Sequence, residues 1–207
     1  MKKWFLLIIS SLWLAGCMTK EPQTPQKPMQ LQPQAETAKI KDYFPLENKN
    51  YFFKGEGNEF AVYNEMFYQK EGDYLPSIVE NGGTRIFKVY QLTDDEIFVV
   101  YEEPEFYDEM IPALDSVKSK FVPISQLKQP FEVGNSFGDW KIVDVHAKLS
   151  LPIGELEDVI ITEKKNEDNS LVRNYWVPGY GKVKEEFLMT DKNGQEFTIT
   201  SLLEKIK

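Results

Sequence analysis

The sequence has 207 residues, with 24 basic and 33 acidic side chains, a net charge of −9, and 14% aromatic residues. A chain this acidic repels nucleic acid and anionic lipid headgroups, so we exclude nucleic acid as a partner. The length suits one domain with a single sizeable core, and the aromatic content favours a packed, β-rich interior.

The first sixteen residues have the layout of a secretory signal. Lys2 and Lys3 precede an apolar run from Trp4 to Leu14, after which small residues follow. The run is too short to span a bilayer comfortably, because a transmembrane helix needs about 20 apolar residues. We therefore predict that residues 1–16 form a signal peptide that is removed on export.

The end of this signal, Leu14-Ala15-Gly16-Cys17, resembles the lipobox of bacterial lipoproteins. The resemblance implies cleavage between Gly16 and Cys17 and a diacylglyceryl thioether on Cys17. Acyl chains such as palmitate on this cysteine give the protein its affinity for the membrane. The alternative is an ordinary signal peptide that happens to end near a cysteine. We predict a protein anchored by lipid on Cys17 to the outer, extracytoplasmic face of the cell membrane.

Maturation at Cys17 removes two lysines and leaves a net charge of −11 on the exported chain. Membrane contact should therefore depend on the lipid and not on a basic protein surface. Because Cys17 is the only cysteine in the sequence, no internal disulfide can form, and the exported domain must be stabilised by its core.

Residues 18–41 are rich in proline and glutamine and contain few large apolar side chains. Such a composition cannot bury enough surface to offset the entropy lost on ordering the chain. We predict that residues 17–41 form a lipidated, flexible tether and that residues 42–207 form a single β-rich extracytoplasmic domain.

Short β-rich runs separated by turn signals recur through this domain. The predicted strands are Phe60–Tyr68, Thr84–Leu92, Glu96–Tyr101, Lys141–Leu151, Leu156–Thr162, Val172–Val177, Lys182–Met189 and Glu196–Leu202. Several alternate as half-buried strands do; for example, Val183, Phe187 and Met189 share one face, with charged residues on the other.

The last three runs are predicted to form an antiparallel meander, because Pro178–Gly181 and Asp191–Gly194 are typical turn sequences. A short helix within Phe106–Lys118 is the one helical candidate, although Pro104 and Pro112 weaken it. The predicted fold is mainly β: an antiparallel curved sheet, a half-barrel or a sandwich.

Segments spread over most of this domain resemble a group of lipobox-bearing lipoproteins from Gram-positive, Bacillus-like bacteria. The matching segments are residues 42–46, 51–60, 81–84, 130–134 and 175–184, the last with the motif Tyr-Trp-x-Pro-Gly-x-Gly-x-Val-Lys. Phe52 stands where the group has tryptophan, and Tyr180 where it has a smaller residue. The resemblance implies a lipid-anchored β domain and brings no catalytic residues with it.

Three aromatic residues of the last segment, Tyr175, Trp176 and Tyr180, are candidate ligand-facing residues. Gly179 and Gly181 permit positive φ in a tight turn, and Tyr175 and Trp176 should lie on opposite faces of a strand. A purely structural turn is the alternative, and it is the more common role for such aromatics.

The segment Gly134–Gly138 matches the G-x-S-x-G pattern of hydrolases, with Ser136 at the nucleophile position. A strand-like run follows instead of a helix, and the single histidine, His146, comes too soon after Ser136 for the order serine, acid, histidine. We interpret the segment as a turn and predict no catalytic residues.

Metal ligands are also scarce in the sequence. His146 lies on the polar face of its predicted strand, and without a second histidine or another cysteine no typical transition-metal site can form. Acidic clusters at residues 94–96 and 102–109 lack the spacing and glycine of a calcium loop, so we interpret them as solvated charge that discourages edge pairing. We predict neither a metal nor another cofactor.

The leading functional hypothesis is a non-enzymatic, membrane-anchored module that binds an envelope protein or a small ligand. One alternative is a carrier of a lipid or another hydrophobic ligand in a half-open β-barrel. A second alternative is an envelope hydrolase. A carrier requires a deep apolar cavity inside the sheet, whereas a surface-binding module does not.

Overall fold

The computed structural model describes residues 38–190 and 192–207. The predicted signal peptide, the Gly16–Cys17 junction and the tether up to residue 37 lie outside these residues. Within the described part, no helix has the length and apolar character needed to cross a membrane.

The described chain is nearly all β. The strands are β1 Lys49–Glu56, β2 Tyr63–Phe67, β3 Tyr74–Glu80, β4 Arg85–Leu92, β5 Glu96–Glu103, β6 Ile124–Lys128, β7 Ser136–Phe137, β8 Trp140–Leu151, β9 Gly154–Lys165, β10 Leu171–Val177, β11 Gly181–Thr190 and β12 Glu196–Ile206. One α-helix is described, α1 Leu114–Val117, together with short 3-10 turns at Ile40–Tyr43, Glu59–Ala61 and Lys118–Lys120.

All twelve strands belong to one antiparallel sheet in the order β6-β5-β4-β3-β2-β1-β12-β11-β10-β9-β8-β7. Pairing of β1 with β12 joins two meanders. The sheet curls into a nearly closed barrel, and a Cβ placed on Gly138, just after β7, would lie only 3.4 Å from the Cβ of Ser125 in β6. The prediction of a curved antiparallel sheet is confirmed, and the sandwich alternative is wrong.

Two apolar cores stabilise this barrel. Inward-facing side chains such as Tyr51, Leu75, Ile97 and Leu203 are almost completely buried in the main core. The second core lies on the outer face of β3, β4 and β5, where Phe106 and Leu114 of the connection between β5 and β6 cover Ile78, Phe87, Val89 and Val100. The predicted helical segment 106–118 therefore contains α1 and covers the outside of the sheet.

Each of the eight predicted strands overlaps an observed one, and the pairing of β10 with β11 and of β11 with β12 confirms the meander. Strand β3 was not predicted, because Pro76 at its centre lacks a backbone N–H. The Pro76 carbonyl accepts a hydrogen bond from the Tyr68 N–H (3.0 Å), and the Tyr68 carbonyl accepts from the Asn48 N–H instead (3.1 Å). Because the Tyr68 carbonyl already has a donor, no backbone N–H is needed at position 76, and a proline can occupy this central strand.

Residues 38–45 close one end of the barrel, which we call the tether end. Ala38 and Ile40 are buried in the main core, although they fall within the predicted tether, so the packed chain extends upstream of Asp42. The Gly179 N–H donates to the Asp42 carbonyl at 2.6 Å and joins this segment to the turn between β10 and β11. We call the opposite end, where β1 finishes at Glu56, the mouth.

At the mouth, the chain after β1 folds back on the strand so closely that Gly55 cannot carry a side chain. A Cβ at Gly55 would lie 2.4 Å from the backbone of both Ala61 and Val62. We expect Gly55→Ala to lower the free energy of unfolding by about 2–3 kcal/mol, as measured by urea denaturation. Gly83→Ala, whose Cβ would meet only side chains, the nearest being the exposed Phe60 ring at 3.3 Å, is the control; an equal or larger loss there would contradict this contact.

Candidate functional site

Two of the candidate ligand-facing aromatics are buried. Tyr175 and Trp176 are 8% and 3% exposed, and Tyr180 is half-buried. The Trp176 Nε1–H points into the barrel and donates to the Thr162 hydroxyl at 3.1 Å. On the outer face, the Tyr175 hydroxyl donates to Glu186 at 2.5 Å. This burial favours the structural role of the pair over direct ligand contact.

The glycines of the same segment have the conformation that the turn requires. Gly179 and Gly181 both have φ of 82°, which is the left-handed region that favours glycine. A Cβ on Gly181 would lie 3.2 Å from the Tyr43 carbonyl oxygen. The second glycine therefore also lets residues 38–45 approach the start of β11.

The residues weighed as hydrolase candidates lie in the hairpin of β7 and β8 and in the long strand that follows. Ser136 is exposed at the start of β7, so Gly134–Gly138 does not form a strand-to-helix elbow. His146 is exposed on β8, with its Nδ1 3.2 Å from the Asp158 carboxylate. Across residues 38–190 and 192–207, no group of three imidazole, thiol or carboxylate side chains is placed to hold a metal ion.

The barrel interior contains a buried carboxylate. Glu65 on β2 is 5% exposed, and its Oε1 accepts hydrogen bonds from the hydroxyls of Ser77 (2.7 Å) and Tyr90 (2.9 Å). Burial and the adjacent Glu65 charge raise the pKa of Tyr90 well above its usual value. Tyr90 therefore acts as a hydrogen-bond donor to Glu65 over the whole physiological pH range.

Lys182, which lines the barrel interior together with Glu65, forms an ion pair with Glu185 at 2.6 Å. Burial favours the neutral form of Lys182, but Glu185 and the nearby Tyr63 outweigh it, and the net effect raises the pKa of Lys182. The Lys182 ammonium in turn lowers the pKa of Glu185, against the opposing effect of burial. Both groups are therefore charged at neutral pH.

This pair predicts a pH effect on stability. Because its pKa is lowered on folding, Glu185 stabilises the native state above pH 4.5, its ordinary value, and this contribution is lost as pH falls through the lower folded pKa. With 41% of the Glu185 side chain exposed, we expect Glu185→Gln to cost at most about 1 kcal/mol at pH 7. Denaturation at pH 7 and at acidic pH should show this difference shrinking in acid.

Glu157→Gln is a matched control, since Glu157 also pairs with a lysine, Lys148, but both side chains are more than 60% exposed. Its cost should be smaller than that of Glu185→Gln at pH 7. A difference between wild type and Glu185→Gln that grew as the pH was lowered would contradict the assigned pKa direction.

Little space remains inside the barrel around these polar groups. The gap between Tyr51, Glu65, Tyr90, Trp176 and Lys182 has a volume of about 20 Å³. This is room for about one water molecule. The interior at this level is filled by side chains.

A much larger space, about 520 Å³, lies outside the barrel in a groove across the outer face of β1, β2 and β3 near the mouth. We call it the outer groove. Its walls include Phe52, Val62, Tyr63, Asn64, Glu80 and Asn81. Ligand sites commonly have volumes of about 300–1,000 Å³ and combine apolar walls with a few polar groups, as this groove does.

Strand alternation and the turn after β3 place the side chains of the outer groove. Phe52 and Asn64 point outward because their neighbours Phe53 and Glu65 point inward. Asn64 lies opposite Glu80 in the pairing of β2 with β3. The Asn81 side-chain oxygen accepts from the N–H groups of Gly83 and Thr84 (3.0 and 2.9 Å), which fixes the turn after β3.

Lysines surround the aromatic wall of the groove. The ammonium groups of Lys205 and Lys207 lie 4.9 and 5.3 Å from the centre of the Phe52 ring, within the range of cation–π attraction. Lys54 pairs with Glu56 at 3.0 Å. Phe52, Asn64 and Glu80 give the groove an aromatic ring, an amide and a carboxylate. These groups suit a ligand that has both an apolar face and hydroxyl or amine groups.

Comparison with known proteins gives fold-level likenesses. No protein-family model and no curated protein matches the sequence. A Bacteroides fragilis protein described as exported, with a YmcC-like fold, is 10% identical with a TM-score of 0.46, over 80% of this chain and 98% of that chain. A Parabacteroides distasonis protein described as a lipoprotein is 14% identical with a TM-score of 0.44 over the same shares. Likenesses at this level carry no information about ligand or reaction.

Proposed function

We propose that this protein is a lipid-anchored, extracytoplasmic binding module of the cell envelope without enzymatic activity, related to the lipobox-bearing lipoproteins of Gram-positive bacteria. The anchor is the lipid on Cys17, and the binding surface is the outer groove. The lipobox-like residues 14–17 and the acidic mature chain support attachment through lipid rather than through a basic surface.

The position of a ligand-sized space carries the binding part of the proposal. The outer groove has a volume of about 520 Å³, whereas the gap in the barrel interior has about 20 Å³. A carrier shelters its ligand inside the barrel, so this contrast favours binding at the surface over transport of a lipid.

The anchor has a direct test in cells that make the protein. We expect radiolabelled palmitate to enter the full-length protein and to be absent from a Cys17→Ala variant, which should also leave the membrane fraction. Equal labelling of the variant, or no labelling of the wild type, would contradict the lipid anchor. A Ser136→Ala variant, changed far from the cleavage junction in sequence, should label like the wild type.

The outer groove can be tested by NMR on the lipidated protein in nanodiscs. With a panel of N-acetylglucosamine oligomers and tripeptides as probes, we expect backbone shifts to concentrate at Val62, Asn64 and Asn81. Phe52→Ala should abolish them by removing the aromatic wall, while Tyr107→Ala, an exposed aromatic outside the groove, should not.

Two results would favour the rival functions. Shifts at the interior residues Leu75 and Ile97 on addition of free palmitate would support a carrier and contradict surface binding. Turnover of an ester or glycan panel that is abolished in Ser136→Ala would support a hydrolase.

A further inference from the structure

Four side chains form one row across the outer groove, which we call the outer row. Lys205 of β12 lies opposite Phe52 of β1, which in turn lies opposite Asn64 of β2. Asn64 lies opposite Glu80 of β3. Opposite residues of paired strands point to the same side of a sheet, and Phe52 and Asn64 point outward, so the whole row does.

The β12 end of the outer row is positively charged. The ammonium groups of Lys205 and Lys207 both lie against the Phe52 ring. Lys205 is 3.8 Å from the Glu204 carboxylate, which partly offsets its charge. Lys207 forms no ion pair within the described part of the chain. One positive charge is therefore left without a partner at this end.

The β3 end of the row is negatively charged. The exposed Glu80 carboxylate has neither a hydrogen bond nor an ion pair with any other described residue. Arg85 lies opposite Glu80 in the pairing of β3 with β4, but its Nη1 donates to the Asp108 carbonyl at 2.8 Å. Its guanidinium also lies over the Phe106 ring, 5.8 Å from the ring centre. The Glu80 carboxylate is thus open to a cation from outside.

The middle of the row combines an apolar wall with an unpaired amide. Phe52 and the 52% exposed Val62 line the groove. The Asn64 amide between the two charged ends has no hydrogen-bond partner among the described residues. A side-chain amide both donates and accepts, so it is complementary to a peptide group, which does the same.

The length of the row limits the size of a ligand that meets both ends. Three intervals of about 5 Å separate Lys205 from Glu80, so their Cα atoms are about 15 Å apart. Side chains stand roughly perpendicular to a sheet, and each charged contact takes up about 3 Å. About 9 Å remains between the two charges of the ligand, which is close to the roughly 10 Å of three extended residues.

We infer that the outer groove binds a short zwitterionic peptide of about three residues with both termini free. Its ammonium group meets Glu80, its carboxylate meets Lys205 and Lys207, and its central peptide group meets Asn64. This inference rests on the outer groove as the binding surface proposed above, and it names the class of ligand.

A neutral sugar fits the same groove less completely. A sugar ring has an apolar face for Phe52 and hydroxyl groups for Asn64, but it leaves the charges at both ends of the row without a counter-charge. A ligand that neutralises both ends gains two charge-assisted contacts that a neutral one lacks. The arrangement of charge therefore favours the peptide.

Titration of the lipidated wild-type protein in nanodiscs, followed by NMR, tests the inference. The probes are the tripeptide Ala-Leu-Ala, its N-acetylated form, its C-terminal amide and the trimer of N-acetylglucosamine. We expect the free tripeptide to shift Val62, Asn64 and Asn81. Each blocked form should bind about threefold or more weakly, because it lacks one exposed ion pair, and the sugar should also bind more weakly.

Variants at the two ends assign each terminus to its partner. Glu80→Gln should weaken binding of Ala-Leu-Ala about threefold or more and leave the affinity for the N-acetylated peptide almost unchanged. Lys205→Gln combined with Lys207→Gln should do the same for the free peptide and its C-terminal amide. Glu167→Gln, at an exposed carboxylate outside the groove, should bind all probes like the wild type.

The outcomes separate this inference from the proposed function. If the sugar shifts the groove residues and binds as tightly as the free tripeptide, the groove is a binding site but the peptide is the wrong class. Blocked and free peptides of equal affinity would also overturn the inference. If no probe shifts the groove residues, both proposals fail. Circular dichroism melting controls for folding of the variants, and the wild-type titrations decide alone if a variant unfolds.

Discussion

Replacement of Trp176 by alanine is expected to lower the free energy of unfolding by about 3–5 kcal/mol, the usual cost of removing a fully buried large aromatic side chain. Trp176 is 3% exposed and belongs to the main core. Its loss would also leave the Thr162 hydroxyl, itself fully buried, without the indole N–H that donates to it. Urea denaturation followed by far-ultraviolet circular dichroism measures the difference.

Two variants give this prediction its controls. Trp176→Phe keeps most of the apolar volume but loses the indole N–H, so its cost should be about 1–2 kcal/mol. Tyr180→Ala, at a half-buried position in the following turn, should cost less than Trp176→Ala. If Trp176→Ala left stability unchanged but weakened binding of a ligand to the protein, Trp176 would be a ligand contact and not a core residue.

The pattern of the sequence predicts much of the fold because strand signals are local. The eight predicted runs and the final meander follow from alternation and turn residues, which act over a few positions. Four strands were not predicted: β1, whose consecutive aromatic residues do not alternate with polar ones, the short strands β6 and β7, and the proline-containing β3. Strand β3 tolerates Pro76 because the Asn48 N–H donates to the carbonyl of Tyr68. Both residues lie outside β3, so the sequence of the strand itself does not reveal this hydrogen bond.

The outer groove was beyond prediction for a similar reason. Its walls come from β1, β2, β3 and the turns next to them, so no single segment shows it. For Tyr175 and Trp176, by contrast, the sequence predicts the direction of each side chain but not its burial. The sequence correctly places them on opposite faces of β10, but whether either face is covered depends on partners elsewhere in the chain, here Thr162 inside and Glu186 outside.

The interior carboxylate also distinguishes this barrel from an apolar carrier. A buried charge costs free energy unless hydrogen bonds compensate for lost hydration, and Glu65 receives two from side chains that are themselves buried. Such a network requires each member to be present. The interior should therefore tolerate changes of single polar residues poorly, although it would tolerate removal of the whole network.

We accordingly expect Glu65→Met to lower the free energy of unfolding by about 3 kcal/mol, because two buried hydroxyl donors, on Ser77 and Tyr90, lose their acceptor while the side-chain volume is nearly kept. Adding Ser77→Ala and Tyr90→Phe to this variant removes the unpaired donors. The triple variant should regain at least half of the loss, since replacing all partners of a buried network by apolar groups is often nearly neutral.

Thermal and urea unfolding of the single, double and triple variants measure this coupling directly. Ser77→Ala and Tyr90→Phe alone should each cost less than Glu65→Met, because each leaves Glu65 with one remaining donor. Strictly additive losses, with the triple variant the least stable of the series, would show that the Glu65 carboxylate stabilises the barrel through something other than these two hydroxyls. In that case the ammonium of Lys182, which lines the same interior gap, would be the next partner to test.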